Sequence, residues 1–209
     1  MNVLILGAGN MGSALATQLT RAGHAVRITS RSPEKAQAIA TATGAQAVRP
    51  DQASADSDVI ILATGYADAV AALRSVGELD GKVVVDITNP LTADYMGLTL
   101  GHDTSAAEEI AKAVPGAQVV KAFNTLFAQV LADGPAFADG QVAPVFYAAD
   151  SERAKQAAKA LIDSIGFKPV DAGGLKNARY LEPLAALNIY LGYGAGLGTA
   201  IAPTWISKS

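Results

Sequence analysis

The sequence contains no cysteine, which excludes disulfides, thiolate nucleophiles and cysteine-ligated metal sites. It has two histidines, His24 and His102, and neither stands in a spacing that is typical of a metal site. The formal net charge of −3 gives the chain no overall attraction for nucleic acid or for an anionic membrane. We therefore expect neither of them as a partner, and any basic site must be local.

Long apolar runs are also missing. Glycine, arginine, aspartate or proline interrupts every apolar stretch before it reaches the length of a membrane span. The chain passes from Met1-Asn2 directly into an apolar run without a basic leader, which favours a cytoplasmic location. Hydrophobic residues make up 50% of the 209 residues and charged residues 17%, so a sizeable core is expected.

Apolar segments of strand length alternate with helical segments along most of the chain. The predicted strands are residues 3–6, 25–29, 59–63, 82–86, 119–122, 144–148 and 168–171. The predicted helices are residues 11–21, 33–42 and 152–165. This order predicts an α/β fold of the Rossmann type, with a doubly wound, mostly parallel sheet. From Gly173 the composition turns helical and then glycine-rich and aromatic. We therefore expect a nucleotide-binding domain at residues 1–172 and a short C-terminal helical lid or dimer segment at residues 173–209.

Three glycines follow the first predicted strand. Gly7, Gly9 and Gly12 form the pattern G-x-G-x-x-G in the segment GAGNMG, at the point where the first helix begins. In this pattern the first glycine permits the tight turn, the second lets a pyrophosphate approach the backbone, and the third lets helix and strand pack closely. The positive end of the helix dipole then faces the phosphates. The sequence predicts a dinucleotide site, and a tight turn without a ligand is the alternative.

The end of the second predicted strand lacks the carboxylate that usually binds the ribose of NAD. It has Ser30 and Arg31 instead, a hydroxyl and a guanidinium that suit a 2′-phosphate. If Pro33 opens the next helix, Lys35 lies in its first turn, where the helix dipole disfavours a cation unless a phosphate binds there. These residues predict NADP(H) as the cofactor. The alternative is that Arg31 and Lys35 are solvated cations on a surface loop and bind no phosphate.

Small or hydrogen-bonding residues follow three further predicted strands. The carboxyl ends of parallel strands meet at the edge where open α/β sheets bind their ligands. Each group by itself is also typical of an ordinary turn. The residues are Thr64, Gly65 and Tyr66, then Thr88, Asn89 and Pro90, then Asn124 and Thr125. Together they predict the remainder of the cofactor site.

No acid–base set accompanies the predicted cofactor site. The sequence has no Tyr-x-x-x-Lys pair and no G-x-S-x-G elbow. Lys121 is a candidate proton donor, but it stands near a strand end, where a lysine usually reaches solvent or pairs with an acid. Asp86 is similarly interpreted as a structural partner. Reduction of a plain carbonyl requires a positioned acid. We therefore assign no catalytic side chain and expect a ring acceptor that takes hydride directly from the cofactor.

Four segments are more specific than the glycine loop. They read LGAGNMGSALATQLTRAGHAVRITSRSPEKA, VVDITNPL, SAAEEIAKAVPGAQVVKAFNTLFA and DAGGLKNARYLEPLAAL. Together they resemble the NADPH-dependent coenzyme F420 reductase family, and they are similar to the oxidoreductase domain of the STEAP metalloreductases. The resemblance implies hydride transfer between NADP(H) and a deazaflavin (F420) or flavin-like acceptor.

The resemblance also implies roles for individual residues. The residues it places at the pyrophosphate are Ala8, Gly9, Asn10 and Met11. Those around the 2′-phosphate are Ser30, Arg31 and Lys35, and those near the nicotinamide are Asn89, Asn124 and Ala128. By the same resemblance, the C-terminal segment would help to form the acceptor pocket and a homodimer.

Two other functions stay open. The segment GAGNMGSAL is similar to pyrroline-5-carboxylate reductase, an imine reductase, although such enzymes have a long helical C-terminal domain and only a short segment follows the sheet here. An NADP(H)-binding sensor or partner protein without catalysis is the second alternative. The aromatic residues of the C-terminal segment distinguish a reductase from a sensor. A reductase would use Tyr190, Tyr193 or Trp205 to line a ring site, whereas a sensor would present them to a partner. Simple burial in the core is equally compatible with these aromatic residues.

Overall fold

The computed structural model describes residues 1–51 and 53–208, and eight strands in this part of the chain form one sheet. The strands are β1 (Asn2–Leu6), β2 (Ala25–Thr29), β3 (Gln46–Ala47), β4 (Val59–Leu62), β5 (Val83–Asp86), β6 (Gln118–Ala122), β7 (Pro144–Ala149) and β8 (Lys168–Asp171). Their order in the sheet is β3-β2-β1-β4-β5-β6-β7-β8. All neighbours are parallel except β6 and β7, which are antiparallel. The predicted Rossmann-type, mostly parallel sheet is confirmed.

Helices cover both faces of this sheet. They are α1 (Asn10–Arg21), α2 (Pro33–Thr43), α3 (Ala69–Arg74), α4 (Ala106–Ala113), α5 (Ala128–Asp133), α6 (Glu152–Ser164) and α7 (Ala178–Ile189). Side chains of β1 alternate between two apolar clusters, since Val3 and Ile5 pack with α1, α2, α5 and α6, whereas Leu4 and Leu6 pack with α3 and α4. A strand buried on both faces reads as a continuous apolar run, which is why the central strands were predictable.

The alternation of apolar segments predicts neither β3 nor the helices α3, α4 and α5. β3 has two residues and these helices have six to eight, so each is too short for a periodic pattern to stand out. The direction of β7 is likewise not encoded in its apolar run. β7 begins at the same edge of the sheet where β6 ends, since Ala122 at the end of β6 pairs with Tyr147, so the connection through α5 starts and finishes at one edge.

The C-terminal segment begins as a helix packed on the sheet. Leu181 of α7 lies against Phe146 and Ala148 of β7. Arg179 donates two hydrogen bonds to Glu108 of α4, at 2.9 and 2.7 Å, and this guanidinium lowers the pKa of the Glu108 carboxyl. A π-helical turn (Tyr190–Gly194) follows α7. Within the described residues, no helix is both long and apolar enough to cross a membrane.

Candidate functional site

The loop between β1 and α1 is a tight turn in which two glycines are required by the fold itself. Gly7 has φ of +131°, and its N–H donates to the carbonyl of Thr29 at 2.9 Å. A Cβ on Gly7 would overlap the carbonyl oxygen of Ala63, and one on Gly12 would overlap the carbonyl oxygen of Gly7. Gly12 therefore lies under the loop and lets α1 pack against it, as the G-x-G-x-x-G pattern predicts.

Gly9 differs from its two neighbours in the motif. It caps α1 with φ of −92°, and apart from the adjoining backbone no atom of the described residues lies within 4 Å of the position that its Cβ would take. The cap carries no side-chain hydrogen bond, and the first turn of α1 contains no acidic residue. Because the first N–H groups of a helix have no partner within it, this end of α1 offers donors and a positive dipole to an anion.

A cleft of about 670 Å³ lies beside this loop, and we call it the first cleft. It contains eight of the residues that the sequence predicts for the cofactor. These are Gly7, Ala8, Gly9, Ser30, Arg31, Lys35, Thr64 and Gly65. Asp68 and Pro50 line the same cleft, and neither was predicted from the sequence.

The β2–α2 loop is held by a local hydrogen-bond network. The Ser30 hydroxyl donates to the carbonyl of Ser32 at 2.7 Å and accepts from its N–H at 3.2 Å. The Ser32 hydroxyl caps α2 by accepting from the Lys35 N–H at 3.4 Å, and it donates to Glu34 at 3.1 Å. The backbone N–H of Glu34 and then the Ser32 hydroxyl lower the pKa of the Glu34 carboxyl. Pro33 is the first residue of α2, which confirms that Lys35 lies in the first turn.

A second cleft, of about 600 Å³, lies on the other side of the N-terminus of α1. It contains the remaining predicted pyrophosphate and nicotinamide residues. These are Asn10, Met11, Asn89, Asn124 and Ala128. Tyr193 also lines it and packs edge-to-face on Phe127, with ring centroids 5.5 Å apart. Trp205 lies elsewhere, edge-on to Phe146.

Two asparagines at the ends of β5 and β6 hold one another in this second cleft. Asn89 Nδ2 donates to the carbonyl of Asn124 at 2.9 Å, and Asn124 Nδ2 donates to Asn89 Oδ1 at 2.9 Å and to the carbonyl of Leu181 at 3.0 Å. The two acceptors fix the orientation of the Asn124 amide. Its Oδ1 is buried without a hydrogen-bond partner among the described residues. A buried acceptor without a partner is costly, so this oxygen is suited to a donor on a ligand.

Lys121 lies below this asparagine pair and is fully buried. Its Nζ contacts Asp86 at 2.8 Å, the carbonyl of Thr88 at 2.6 Å and Glu182 at 2.8 Å. The Glu182 carboxylate also accepts from the N–H of Ala106 at 2.9 Å, at the start of α4. All three donors of the ammonium group are used, so Lys121 and Asp86 are structural, as expected for a lysine paired with an acid. The sequence analysis assigned Glu182 no role, although it is a lone acid among apolar residues in YLEPL and lies in one of the four segments that resemble the reductase family.

Four predicted residues line neither cleft, although all of them lie in the described part of the chain. One of them is Thr88, which is buried and whose carbonyl accepts from Lys121. Gly12 is buried beneath the loop, and Pro90 is buried while its carbonyl accepts from Thr99 at 2.7 Å. Tyr66 packs against the apolar cluster on the α3 and α4 side. Burial, and then the nearby carboxylates of Glu109 and Glu182, raise the pKa of the Tyr66 phenol.

Comparisons with known proteins identify the family. The family model of coenzyme F420-dependent NADP oxidoreductases matches residues 2–90. The F420-dependent NADP reductase of Methanothermobacter marburgensis is 34% identical in an alignment 211 positions long. This alignment covers 91% of this chain and 92% of that protein. The chain belongs to the F420-dependent NADP oxidoreductase family. It is therefore an oxidoreductase of this family, and the resemblance seen in the sequence is confirmed.

Two further relatives of the family show how far the likeness extends. A solved structure from Arthrobacter sp. FB24, of a protein provisionally named an F420-dependent NADP reductase, superimposes with a TM-score of 0.84 at 28% identity. The superposition covers 94% of this chain and 96% of that one. The rat metalloreductase STEAP3 is 33% identical over 181 residues, which cover 86% of this chain but 35% of that protein. The likeness to the metalloreductase thus concerns about a third of its length.

Proposed function

We propose that the protein transfers hydride between NADP(H) and a ring acceptor, either a deazaflavin such as F420 or a flavin-like molecule. One observation carries the proposal: consecutive residues divide between the two clefts, since Gly9 lines the first and Asn10 the second. A dinucleotide that runs from one cleft to the other therefore crosses the N-terminus of α1 with its pyrophosphate. The bound cofactor supplies the hydride.

The first cleft supports the adenosine end of this proposal. Arg31 and Lys35 bring two cations to the end of β2, and residues 29–32 at this strand end include no carboxylate that would accept from a ribose 2′-hydroxyl. The Thr29 hydroxyl at the end of β2 is buried and has no hydrogen-bond partner among the described residues. Two cations and a hydroxyl without a partner are groups that can bind a 2′-phosphate.

The second cleft supports transfer to a ring. Its lining includes the aromatic side chains Tyr95, Phe127 and Tyr193 but, within the described chain, no lysine, arginine, histidine or glutamate. Asp94 also lines it, and hydrogen bonds from the Thr92 hydroxyl and then the Met96 N–H lower the pKa of the Asp94 carboxyl. This carboxyl is ionised at neutral pH and is unsuited to protonate a carbonyl. A ring acceptor that takes hydride directly needs no such acid.

The preference for the phosphorylated cofactor is directly testable. We expect the protein to bind NADPH more tightly than NADH. Arg31→Ala should weaken NADPH binding about 10- to 100-fold while changing NADH binding little, because it removes a charge-assisted hydrogen bond to the 2′-phosphate. Isothermal titration calorimetry measures both affinities. Arg49→Ala is the matched control, since Arg49 is an exposed arginine outside both clefts. Equal affinities for the two cofactors in the unmutated protein contradict the proposal.

The acceptor is found by following NADPH oxidation with purified protein and F420, FMN, FAD, ferric chelates or pyrroline-5-carboxylate in turn. We expect turnover with F420 or a flavin, and Tyr193→Ala should lower that turnover because it removes an aromatic wall of the second cleft. Tyr180→Ala is the control, since Tyr180 is 71% exposed, lies outside this cleft and is not among the apolar residues proposed for the dimer. Tight NADPH binding without oxidation by any acceptor would favour a sensor, and turnover with the imine alone would favour an imine reductase.

We further propose that the segment from residue 173 contributes to an acceptor pocket and to a homodimer. The apolar side chains of Leu187, Tyr190 and Leu197 are 54%, 50% and 61% exposed, which is unusual for neighbouring apolar residues of a monomer. The boundary at residue 172, the movement of this segment as a lid and the cytoplasmic location stay predictions.

A further inference from the structure

The first cleft is crossed by an ion pair. Arg31, in the loop after β2, points its guanidinium at Asp68, in the 3₁₀ turn (Tyr66–Asp68) that follows β4. Nη1 lies 3.1 Å from Oδ1 and Nη2 lies 2.9 Å from Oδ2, so the pair is bidentate. Because β2 and β4 flank β1 on opposite sides, the pair bridges the two sides of the cleft beside the glycine loop.

The two cations proposed for the 2′-phosphate, Arg31 and Lys35, differ in whether a carboxylate of the protein already binds them. Arg31 already binds a carboxylate through Nη1 and Nη2, one of the two edges of its fork that can bind a phosphate bidentately. Among the described residues, no carboxylate lies within 4.0 Å of the Lys35 ammonium group. The Lys35 ammonium group is therefore available to an anion, whereas the Nη1/Nη2 edge of Arg31 must first release Asp68.

Asp68 has no other evident task in the fold. It directly precedes α3, but its side chain makes no capping hydrogen bond. Among the hydrogen bonds between described residues, its carboxylate accepts from Arg31 alone. Its side chain is 44% exposed, so burial does not dictate an acid at this position either.

We propose that Asp68 is a specificity-determining residue that competes with the cofactor's 2′-phosphate for Arg31. The inference rests on the proposed NADP(H) site. The Nη1/Nη2 edge of the guanidinium holds one bidentate oxyanion at a time, so a phosphate that binds at this edge exchanges one anion for another. Asp68 thereby lowers the affinity for NADP(H), while NAD(H), which lacks the phosphate, leaves the pair undisturbed. The Arg31–Asp68 pair therefore makes the preference for NADP(H) over NAD(H) smaller than it would be without Asp68.

A double-mutant cycle tests this competition. NADP⁺ and NAD⁺ are titrated into the unmutated protein, Asp68→Asn, Arg31→Ala and the double variant. We expect Asp68→Asn to tighten NADP⁺ binding about 2- to 5-fold, the size typical of an exposed ion pair, and to leave NAD⁺ binding unchanged. In the Arg31→Ala background the same substitution should have no effect, because Asp68 acts through Arg31.

Two controls accompany the cycle. Asp51→Asn removes the carboxylate of a similarly exposed pair with Arg49, neither of which lines the first cleft, and should leave NADP⁺ binding unchanged. Asp68→Ser is a second variant with the same expectation as Asp68→Asn, and thermal melts verify that each variant folds.

The possible failures are distinguishable. If the unmutated protein binds NADP⁺ and NAD⁺ equally, the proposed 2′-phosphate site fails. If NADP⁺ is preferred but Asp68→Asn does not tighten it, the cofactor site stands and the competition is overturned. Equal tightening of both dinucleotides, or tightening that persists without Arg31, overturns it as well, because Asp68 would then act on the ligand by general repulsion.

Discussion

Gly9→Ala is expected to weaken NADP(H) binding about 10- to 100-fold and to leave the melting temperature unchanged. The structure leaves open space around the position of the new Cβ, and the φ of −92° is ordinary for alanine. The protein itself therefore has no reason to exclude a side chain at Gly9. A pyrophosphate that approaches the N–H groups of α1 would meet the methyl group and lose hydrogen bonds to the backbone. Calorimetric titration and a thermal melt of the same sample measure the two quantities.

Gly12→Ala is the matched comparison for Gly9→Ala. Its Cβ would overlap the carbonyl oxygen of Gly7, so α1 must shift, and overpacking of this kind costs about 1–3 kcal/mol of the free energy of unfolding. The same chemical change is thus expected to reduce stability at Gly12 and ligand affinity at Gly9. Unaltered NADP(H) affinity of the Gly9→Ala protein would show that the loop is a tight turn that no pyrophosphate approaches.

This difference between the glycines shows where sequence reasoning stops. The spacing of Gly7, Gly9 and Gly12 after a strand was sufficient to predict the turn, the start of α1 and the edge of the sheet that carries the clefts. It did not separate the glycines that the fold requires from the one that it does not. That separation needs the distances to Ala63 and Gly7, which depend on how β1, β4 and α1 pack.

The contacts that the sequence could not predict are those between distant segments. Arg31 was predicted as a phosphate ligand from its place after β2, but its partner Asp68 is 37 residues away and stands in an ordinary turn. Lys121 was expected either to reach solvent or to pair with an acid, and its partner Glu182 is more than 60 residues further along, in α7. A local pattern encodes which strand end a residue follows, whereas these pairs arise only when the ends of several elements meet.

A buried cluster of charges joins the sheet to α7, and we expect it to contribute strongly to the free energy of unfolding. It consists of Lys121, Asp86 and Glu182. Lys121→Met is expected to reduce the free energy of unfolding by about 3–5 kcal/mol, since it leaves two buried carboxylates without their counter-ion. Urea unfolding monitored by circular dichroism measures the change. Lys112→Met is the control, because the Lys112–Glu109 pair on α4 is exposed and its loss should barely move the midpoint.

Lys121→Met also tests whether Lys121 positions the two asparagines of the second cleft. Its Nζ holds the carbonyl of Thr88, the residue before Asn89, and its partner Glu182 fixes the helix whose Leu181 carbonyl orients Asn124. Loss of the ammonium group releases both asparagines together, so NADP(H) affinity should fall in Lys121→Met even under conditions where the protein stays folded. A stable Lys121→Met protein with unaltered unfolding and affinity would mean that the buried charges neither hold α7 nor position the second cleft. The C-terminal helix would then be held by its apolar contacts with β7 and by the Arg179–Glu108 pair with α4.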